Sequence, residues 1–185
     1  MEKKPLKLSD VRTKLPFNIN YGMGDISIKN ILDPNWDIII NWDVYLPTKK
    51  MNLQRGFVWS LNQKRALIYS VFKGIQLPPI SVIQYRDNTK TITYKIIDGK
   101  QRLSTILSFV KNEFTILWNN QEYLFNELDH SIKGEFLYHG LIRANIGYEY
   151  DDDLISDDDK IKWFNLINFT GTPQDKEHMD KLLNI

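Results

Sequence analysis

The chain has 185 residues, 42% hydrophobic and 25% charged, with a formal net charge of +1, which is typical of a globular domain and excludes a disordered or collagen-like chain. The absence of cysteine excludes disulfides, cysteine-ligated zinc, iron–sulfur clusters and thiol nucleophiles. Because no apolar stretch can span a bilayer and the N-terminus lacks the apolar segment of a signal peptide, we expect a cytoplasmic protein with no membrane partner.

The first half of the chain has local patterns that predict both strands and a helix. Three segments before residue 50 are predicted as a turn over Tyr21–Asp25, a strand over Ile26–Ile31 and a strand within Trp36–Leu46. Ser60 is the expected N-cap of a helix over residues 61–73, which Gly74 ends.

The second half predicts further strands and helices in irregular alternation. Two strands are expected over Ile80–Tyr85 and Thr91–Ile97, with a turn at Asp87-Asn88, followed by a helix over residues 100–112. Later elements are short strands at Phe114–Trp118 and Glu122–Phe125 around an Asn119-Asn120 turn, a strand over Ile142–Tyr150, and a helix over Lys160–Phe169 closed by Gly171 and Pro173. Without strict β-α alternation, the predicted fold class is α+β, with residues 1–34 as an N-terminal extension and residues 35–185 as a single domain.

Charge is distributed unevenly along the chain. Residues 1–74 carry 12 Lys and Arg against 6 Asp and Glu, whereas residues 149–185 carry 4 against 10. A basic half suits an anion such as a nucleotide or nucleic acid, and attraction between the two ends explains the pattern equally well. The acidic run Glu149–Asp159 is expected to be a solvated loop rather than a calcium site, and Asp157–Asp159 also suit the start of a helix.

The most informative segment is Asp98-Gly99-Lys100-Gln101-Arg102, where a predicted buried strand runs into a helix. The first turn of a helix has unpaired N–H groups and a positive end, and Gly99 lets the backbone approach a phosphate closely. Lys100 and Arg102 suit phosphate oxygens, and Asp98 suits Mg²⁺ or a proton. The alternative, in which Asp98 only caps the helix and Gly99 only turns the chain, is equally consistent with the residues.

Two other segments carry candidate ligand contacts. Gln54 and Arg55 precede the first helix, and Arg55 is placed to reach the same anion. Phe57 and Trp59 are candidates for stacking on a base, although burial in the core is favoured for both. Asn168, near the end of the last helix, is either a C-cap or a ligand contact.

Three motifs together resemble the signatures of the DGQQR family. Asn52–Trp59, Asp98–Arg102 and Asn168–Pro173 are similar, in this order, to QR-x-[FY]-x-W, DGQQR-L-[ST]-T and an Asn followed by G-[TE]-P-L. The family includes the N-terminal domains of GmrSD-type modification-dependent restriction enzymes and of the SspE nuclease of phosphorothioate-based defence. The likeness is best over residues 36–118, and Lys100 departs from it by replacing the first Gln of DGQQR.

The resemblance implies a ParB/sulfiredoxin-like α+β fold and a nucleotide-binding domain that hydrolyses a nucleoside triphosphate in DNA defence or modification. On this basis Asp98, Gln101 and Arg102 are the expected catalytic residues, and the expected phosphate ligands are Gln54, Arg55, Gly99, Lys100, Arg102 and Asn168. Mg²⁺ at Asp98 is the expected cofactor, and the expected partners are the nucleotide, DNA and a separate nuclease subunit. We expect no nuclease activity from this chain alone, because its three histidines are scattered and match no nuclease motif.

Two alternatives use the same residues differently. A phosphotransferase would present a hydroxyl instead of water to the bound phosphate. A non-enzymatic DNA-binding or regulatory module, of phage or mobile-element origin, would use the basic half of the chain for DNA. Since no GxxxxGK[ST] segment is present, any NTPase activity belongs to an enzyme outside the P-loop class.

Overall fold

The computed structural model describes residues 19, 21–86, 91–139, 141–150 and 153–169. In chain order, these residues form β1 (Tyr21–Ser27), α1 (Ile28–Leu32), β2 (Ile38–Asn41), β3 (Tyr45–Leu46), β4 (Met51–Asn52), α2 (Leu61–Phe72), β5 (Ile80–Arg86), β6 (Ile92–Asp98), α3 (Lys100–Val110), β7 (Ile116–Trp118), β8 (Gln121–Tyr123), a 3₁₀ turn (Phe125–Glu127), α4 (His130–His139), β9 (Leu141–Glu149) and α5 (Asp157–Phe169). None of the helices in these ranges is long and apolar enough to cross a membrane.

A mixed sheet forms the centre of the fold. Within the described ranges it has five strands in the order β1-β9-β5-β6-β2. β5 runs antiparallel to β6 and parallel to β9, and the outer strand β2 runs parallel to β6. Ser81, near the start of β5, is paired with Asp98 at the end of β6. The junction from β6 to α3 therefore lies next to the first residues of β5, at the end of the strands rather than at an outer strand.

Helices cover both faces of this sheet. On one face, fully buried side chains from α2, α3 and β6 (Ile68, Leu103 and Ile96) form one core with Phe136 of α4. On the other face, Phe164 of α5 packs in a second core with Ile83 and Ile97. Strands β5 and β6 thus contribute apolar residues to both cores, as expected for strands that are covered on both faces. The α+β class predicted from the sequence is confirmed.

Local signals placed several elements correctly. Ser60 caps α2, where its hydroxyl accepts a hydrogen bond from the N–H of Gln63 and the Gln63 side chain accepts one from the N–H of Ser60. Gly74 follows this helix with a φ of +66°. Asn119 and Asn120 both have positive φ and join β7 to β8 as predicted.

The N-terminal predictions were wrong in detail. Tyr21–Asp25, expected as a turn, lies in β1, and α1 replaces most of the strand expected over Ile26–Ile31. Pairing of β1 with β9 outweighs the turn tendency of its glycines, and a Cβ on Gly24 would lie only 3.0 Å from Ile146. β1 and α1, within the predicted extension, are thus part of the sheet and its helical layer. The strand expected within Trp36–Leu46 is divided into β2 and β3.

The acidic run was only partly understood from the sequence. Glu149, expected in a solvated loop, is 1% exposed and pairs with Lys95 of β6 and Lys160 of α5. Asp157 begins α5, which agrees with the prediction that the last three aspartates suit a helix start. The described residues contain no cluster of three or more His, Asp or Glu side chains able to hold a metal ion.

Three predicted features lie outside the described residues. They are the Asp87-Asn88 turn, the Gly171 and Pro173 helix stop, and the first 18 residues of the extension.

Candidate functional site

The first two motifs converge on one pocket of about 200 Å³, which we call the α3 pocket. It lies at the start of α3, where the segment after β4 crosses the end of β6. Among the described residues, its lining comes from the segment after β4 and from the junction of β6 with α3: Gln54, Arg55, Trp59, Asp98, Gly99, Lys100, Gln101 and Arg102. The structure therefore brings together most of the side chains selected from the sequence.

Gly99 shapes the floor of the α3 pocket. It has a φ of +92°, and a Cβ at this position would lie 2.7 Å from Ile80 Cβ and closer still to Ile80 Cγ2. Both the backbone conformation and the close approach of β5 therefore require glycine. The first residues of α3 line the pocket, and no side chain among the described residues caps this helix start, so its first N–H groups have no side-chain acceptor. This decides against a capping role for Asp98.

Arg102 holds one wall of the pocket together. Its guanidinium donates to the carbonyl oxygens of Pro78 (2.8 Å) and Pro79 (3.3 Å) and to Asp98 Oδ2 (2.7 Å). The Asp98 and Arg102 side chains are 23% and 16% exposed, so the pair is largely removed from solvent. Arg102 thus neutralises Asp98 and fixes the segment before β5 against α3.

Gln101 fastens the segment after β4 onto α3. Its Nε2 donates to Gly56 O (3.0 Å), and its Oε1 accepts from Val58 N (3.1 Å). The side-chain amide therefore bonds to the backbone on both sides of Phe57. This arrangement sets the position of the preceding Arg55 relative to the helix start.

The three cations of the α3 pocket differ in their partners. Lys100 Nζ is 2.6 Å from Asp43 Oδ1, and Arg102 is paired with Asp98. Arg55 is exposed, and no hydrogen bond or ion pair of its side chain is found within the described ranges. Of these three cations, Arg55 is therefore the one without a counter-charge among the described residues.

Gln54 presents an unsatisfied acceptor. Its Nε2 donates to the carbonyl oxygen of Ile97, which anchors the side chain to the end of β6. Its Oε1 is buried and has no hydrogen-bond partner in the described part of the chain. A buried acceptor left unpaired costs about 1–3 kcal/mol, so a donor from a ligand or solvent at this position would be stabilising.

A family model described as the N-terminal domain of the GmrSD restriction endonuclease matches residues 39–184. The chain belongs to this family. No curated protein and no solved structure matches it, so the ParB/sulfiredoxin-like subtype of the fold stays a prediction. Family membership places the chain in the restriction systems that defend against foreign DNA. GmrSD-type systems act on DNA.

Three predicted site residues of this GmrSD N-terminal domain remain: Trp59, Phe57 and Asn168. Trp59 packs against the core that contains Phe136, which agrees with the favoured prediction of a core position, and it also lines the α3 pocket. Phe57 is 40% exposed, with Lys64 Nζ 4.6 Å from its ring centroid, so the favoured burial in the core was wrong for Phe57. Asn168 lies in α5, where its Nδ2 donates to Phe164 O (2.7 Å), and it is not brought to the α3 pocket described above.

Proposed function

We propose that this GmrSD-type domain binds a nucleoside triphosphate at the α3 pocket and hydrolyses it during restriction of foreign DNA. The supporting observation is the uncapped start of α3 beside Arg55, whose charge has no partner in the described residues. Helix N-termini attract phosphate through unpaired N–H groups and the helix dipole. A guanidinium adds a two-pronged charged contact to the same oxygens.

The size of the pocket suggests which part of the nucleotide it receives. Sites that enclose a drug-sized ligand usually measure roughly 300–1,000 Å³, whereas the α3 pocket measures about 200 Å³. We therefore assign it to the phosphates, with Gly99 allowing close approach and Lys100 adding charge. The base would remain outside, where exposed Phe57 is available for stacking. The unpaired Gln54 Oε1 would accept a hydrogen bond from a sugar hydroxyl or from the attacking water.

The residues fit a Mg²⁺ ion that is held mainly by phosphate oxygens. Asp98 supplies one carboxylate, and Arg102 already neutralises part of its charge. Mg²⁺ in nucleotide sites commonly uses one or two carboxylates together with phosphates and water. When bound, the ion would neutralise charge on the phosphates, and Asp98 would orient it or the attacking water.

The geometry suggests separate roles for the two other expected catalytic residues. Arg102 would stabilise charge from the pocket wall, since its carbonyl contacts hold it in place. We assign Gln101 to positioning rather than chemistry, because both ends of its amide hold the segment that carries Arg55. DNA cleavage itself would come from a separate nuclease domain or subunit.

The test is a titration of ATP, GTP, CTP and UTP with Mg²⁺, recording both binding and phosphate release. In Arg55→Ala we expect affinity to fall by about tenfold or more and release to fall in parallel, because a charge-assisted phosphate contact is lost. Arg143→Ala is the matched control, since Arg143 is also exposed but lies on β9 outside the pocket.

The outcomes separate the competing functions. Binding without release would favour a phosphotransferase and replace hydrolysis in the proposal. Failure of all four nucleotides to bind, with DNA binding that weakens steeply with salt, would favour a DNA-binding module. Equal losses in Arg55→Ala and Arg143→Ala would contradict the assignment of the site.

A further inference from the structure

A second and larger cavity, of about 700 Å³, lies where the C-terminal end of α2, the β7–β8 hairpin and the start of α4 meet. We call it the hairpin groove. Its apolar walls are formed by Tyr69, Phe72, Leu117, Trp118, Leu128 and Ile132. None of these residues belongs to the three family motifs or lines the α3 pocket.

The walls of the hairpin groove expose large apolar side chains to solvent. Trp118 is 64% exposed, Leu117 41% and Ile132 42%. Single exposed apolar residues are ordinary on protein surfaces, but a contiguous apolar depression usually marks an interaction site. Aromatic side chains such as Trp118 are also the common anchors of protein interfaces.

Polar contacts hold the hairpin in this open position. The Tyr69 hydroxyl donates to Leu117 O (2.6 Å) and accepts from Leu117 N (3.0 Å). Arg65 bonds to Thr115, the residue before β7, and to Glu122 of β8, so α2 is tied to both sides of the hairpin. The groove is therefore formed before any partner arrives, which lowers the entropic cost of binding.

The charged groups of the groove are predominantly acidic. Glu127, Asp129 and Lys73 all line it, which gives two carboxylates and one ammonium among the lining side chains. Glu127 Oε2 accepts from Leu124 N (2.7 Å), and Asp129 Oδ1 accepts from the hydroxyl and N–H of Ser131. The hydrogen bonds from Ser131 hold the pKa of Asp129 below its usual range, so this carboxylate stays ionised at neutral pH.

We propose that the hairpin groove binds a basic amphipathic helix of a partner polypeptide. Apolar side chains at helical spacing would pack on Trp118 and Leu117, and a flanking lysine or arginine would meet Glu127 and Asp129. The two lining carboxylates disfavour nucleic acid, because its phosphate backbone would lie close to them. This proposal is independent of nucleotide binding at the α3 pocket.

The test uses a fluorescein-labelled helical peptide of about 18 leucine and lysine residues with the leucines on one face. Its counterpart replaces every lysine with glutamate. Binding to the full chain is followed by fluorescence anisotropy. We expect saturable binding of the lysine peptide. The glutamate peptide should bind at least about tenfold more weakly, because its charges repel Glu127 and Asp129.

Three variants locate the binding. Trp118→Ala should weaken binding of the lysine peptide by about tenfold, whereas Trp36→Ala should not, since Trp36 is 50% exposed but lies outside the groove. Asp129→Asn keeps the capping acceptor and removes the charge, and it should weaken binding by about threefold.

The proposal is overturned by any of three results. The first is absence of saturable binding, or equal binding of the two peptides. The second is an equal effect of Trp118→Ala and Trp36→Ala while both variants retain the wild-type circular dichroism spectrum. The third is saturable binding of a single-stranded oligonucleotide that Trp118→Ala abolishes, which would assign the groove to nucleic acid.

Discussion

The α3 pocket and the hairpin groove are built on opposite physical plans. In the α3 pocket, charged and amide side chains bond to one another and to nearby backbone, and only Arg55 and one oxygen of Gln54 lack a partner in the described residues. In the hairpin groove, the polar side chains stabilise the frame and the apolar ones face solvent. The comparison shows that most residues of a motif can serve to build a site, while only a few are free to contact a ligand.

The same difference affects how each region tolerates substitution. The α3 pocket depends on a close approach of backbone at Gly99, where nothing larger fits. The groove depends on exposed side chains such as Trp118, which can be changed without filling or emptying a core. A change at Gly99 should therefore alter folding and binding together, whereas a change at Trp118 should alter binding alone.

The largest effect we expect is from Gly99→Ala. The substitution combines a positive φ with a clash against Ile80, and together these should lower the free energy of unfolding by roughly 2–4 kcal/mol. Gly56→Ala is the matched control, because a Cβ there meets no atom within 4 Å, and we expect a change below about 0.5 kcal/mol. Urea denaturation measures both, and similar values for the two variants would contradict the account of the pocket floor.

Much of the pocket could be predicted from the sequence because the residues that indicate it are neighbours in the chain. Asp98, Gly99 and the start of α3 are consecutive residues, and the predicted strand and helix boundaries placed them at one junction. Arg55 lines the same pocket, and the expectation that it contacts the anion stays a prediction. The two hydrogen bonds of Gln101 and the carbonyl contacts of Arg102 were not predicted, because they join segments distant in the chain.

The groove and two elements around the sheet were missed for a related reason. α4 lacks a clear apolar periodicity and contains Gly134, so its helical form depends on packing of Phe136 in the core. β1 contains two glycines and is a strand because β9 lies beside it. A groove between α2, a hairpin and α4 cannot be inferred when one of its walls is not recognised.

A moderate effect is expected from Tyr69→Phe, which separates the frame of the groove from its apolar surface. The variant loses the hydroxyl that bonds to both the N–H and the carbonyl of Leu117, and we expect a loss of about 1 kcal/mol in the free energy of unfolding. Tyr138→Phe is the control, since Tyr138 is 75% exposed and does not line the groove. Because the hairpin is then less restrained, the lysine peptide should also bind a few times more weakly. Unchanged stability and affinity would show that the hairpin does not depend on the hydrogen bonds of Tyr69.

The smallest expected effect is a pH dependence from Glu122, which also holds the hairpin. Hydrogen bonds from Arg65 and then from Thr115 hold the pKa of Glu122 below its usual range. A carboxyl with a lowered pKa in the folded state contributes stability above its unfolded pKa, and this contribution is lost as the pH falls through the folded value. The difference in thermal midpoint between the wild type and Glu122→Gln should therefore be present at pH 7 and decrease as the pH approaches 3. Glu113→Gln serves as the comparison for general acid effects, and a wild-type advantage over Glu122→Gln that persists unchanged at pH 3 would show that the Glu122 charge does not hold the hairpin.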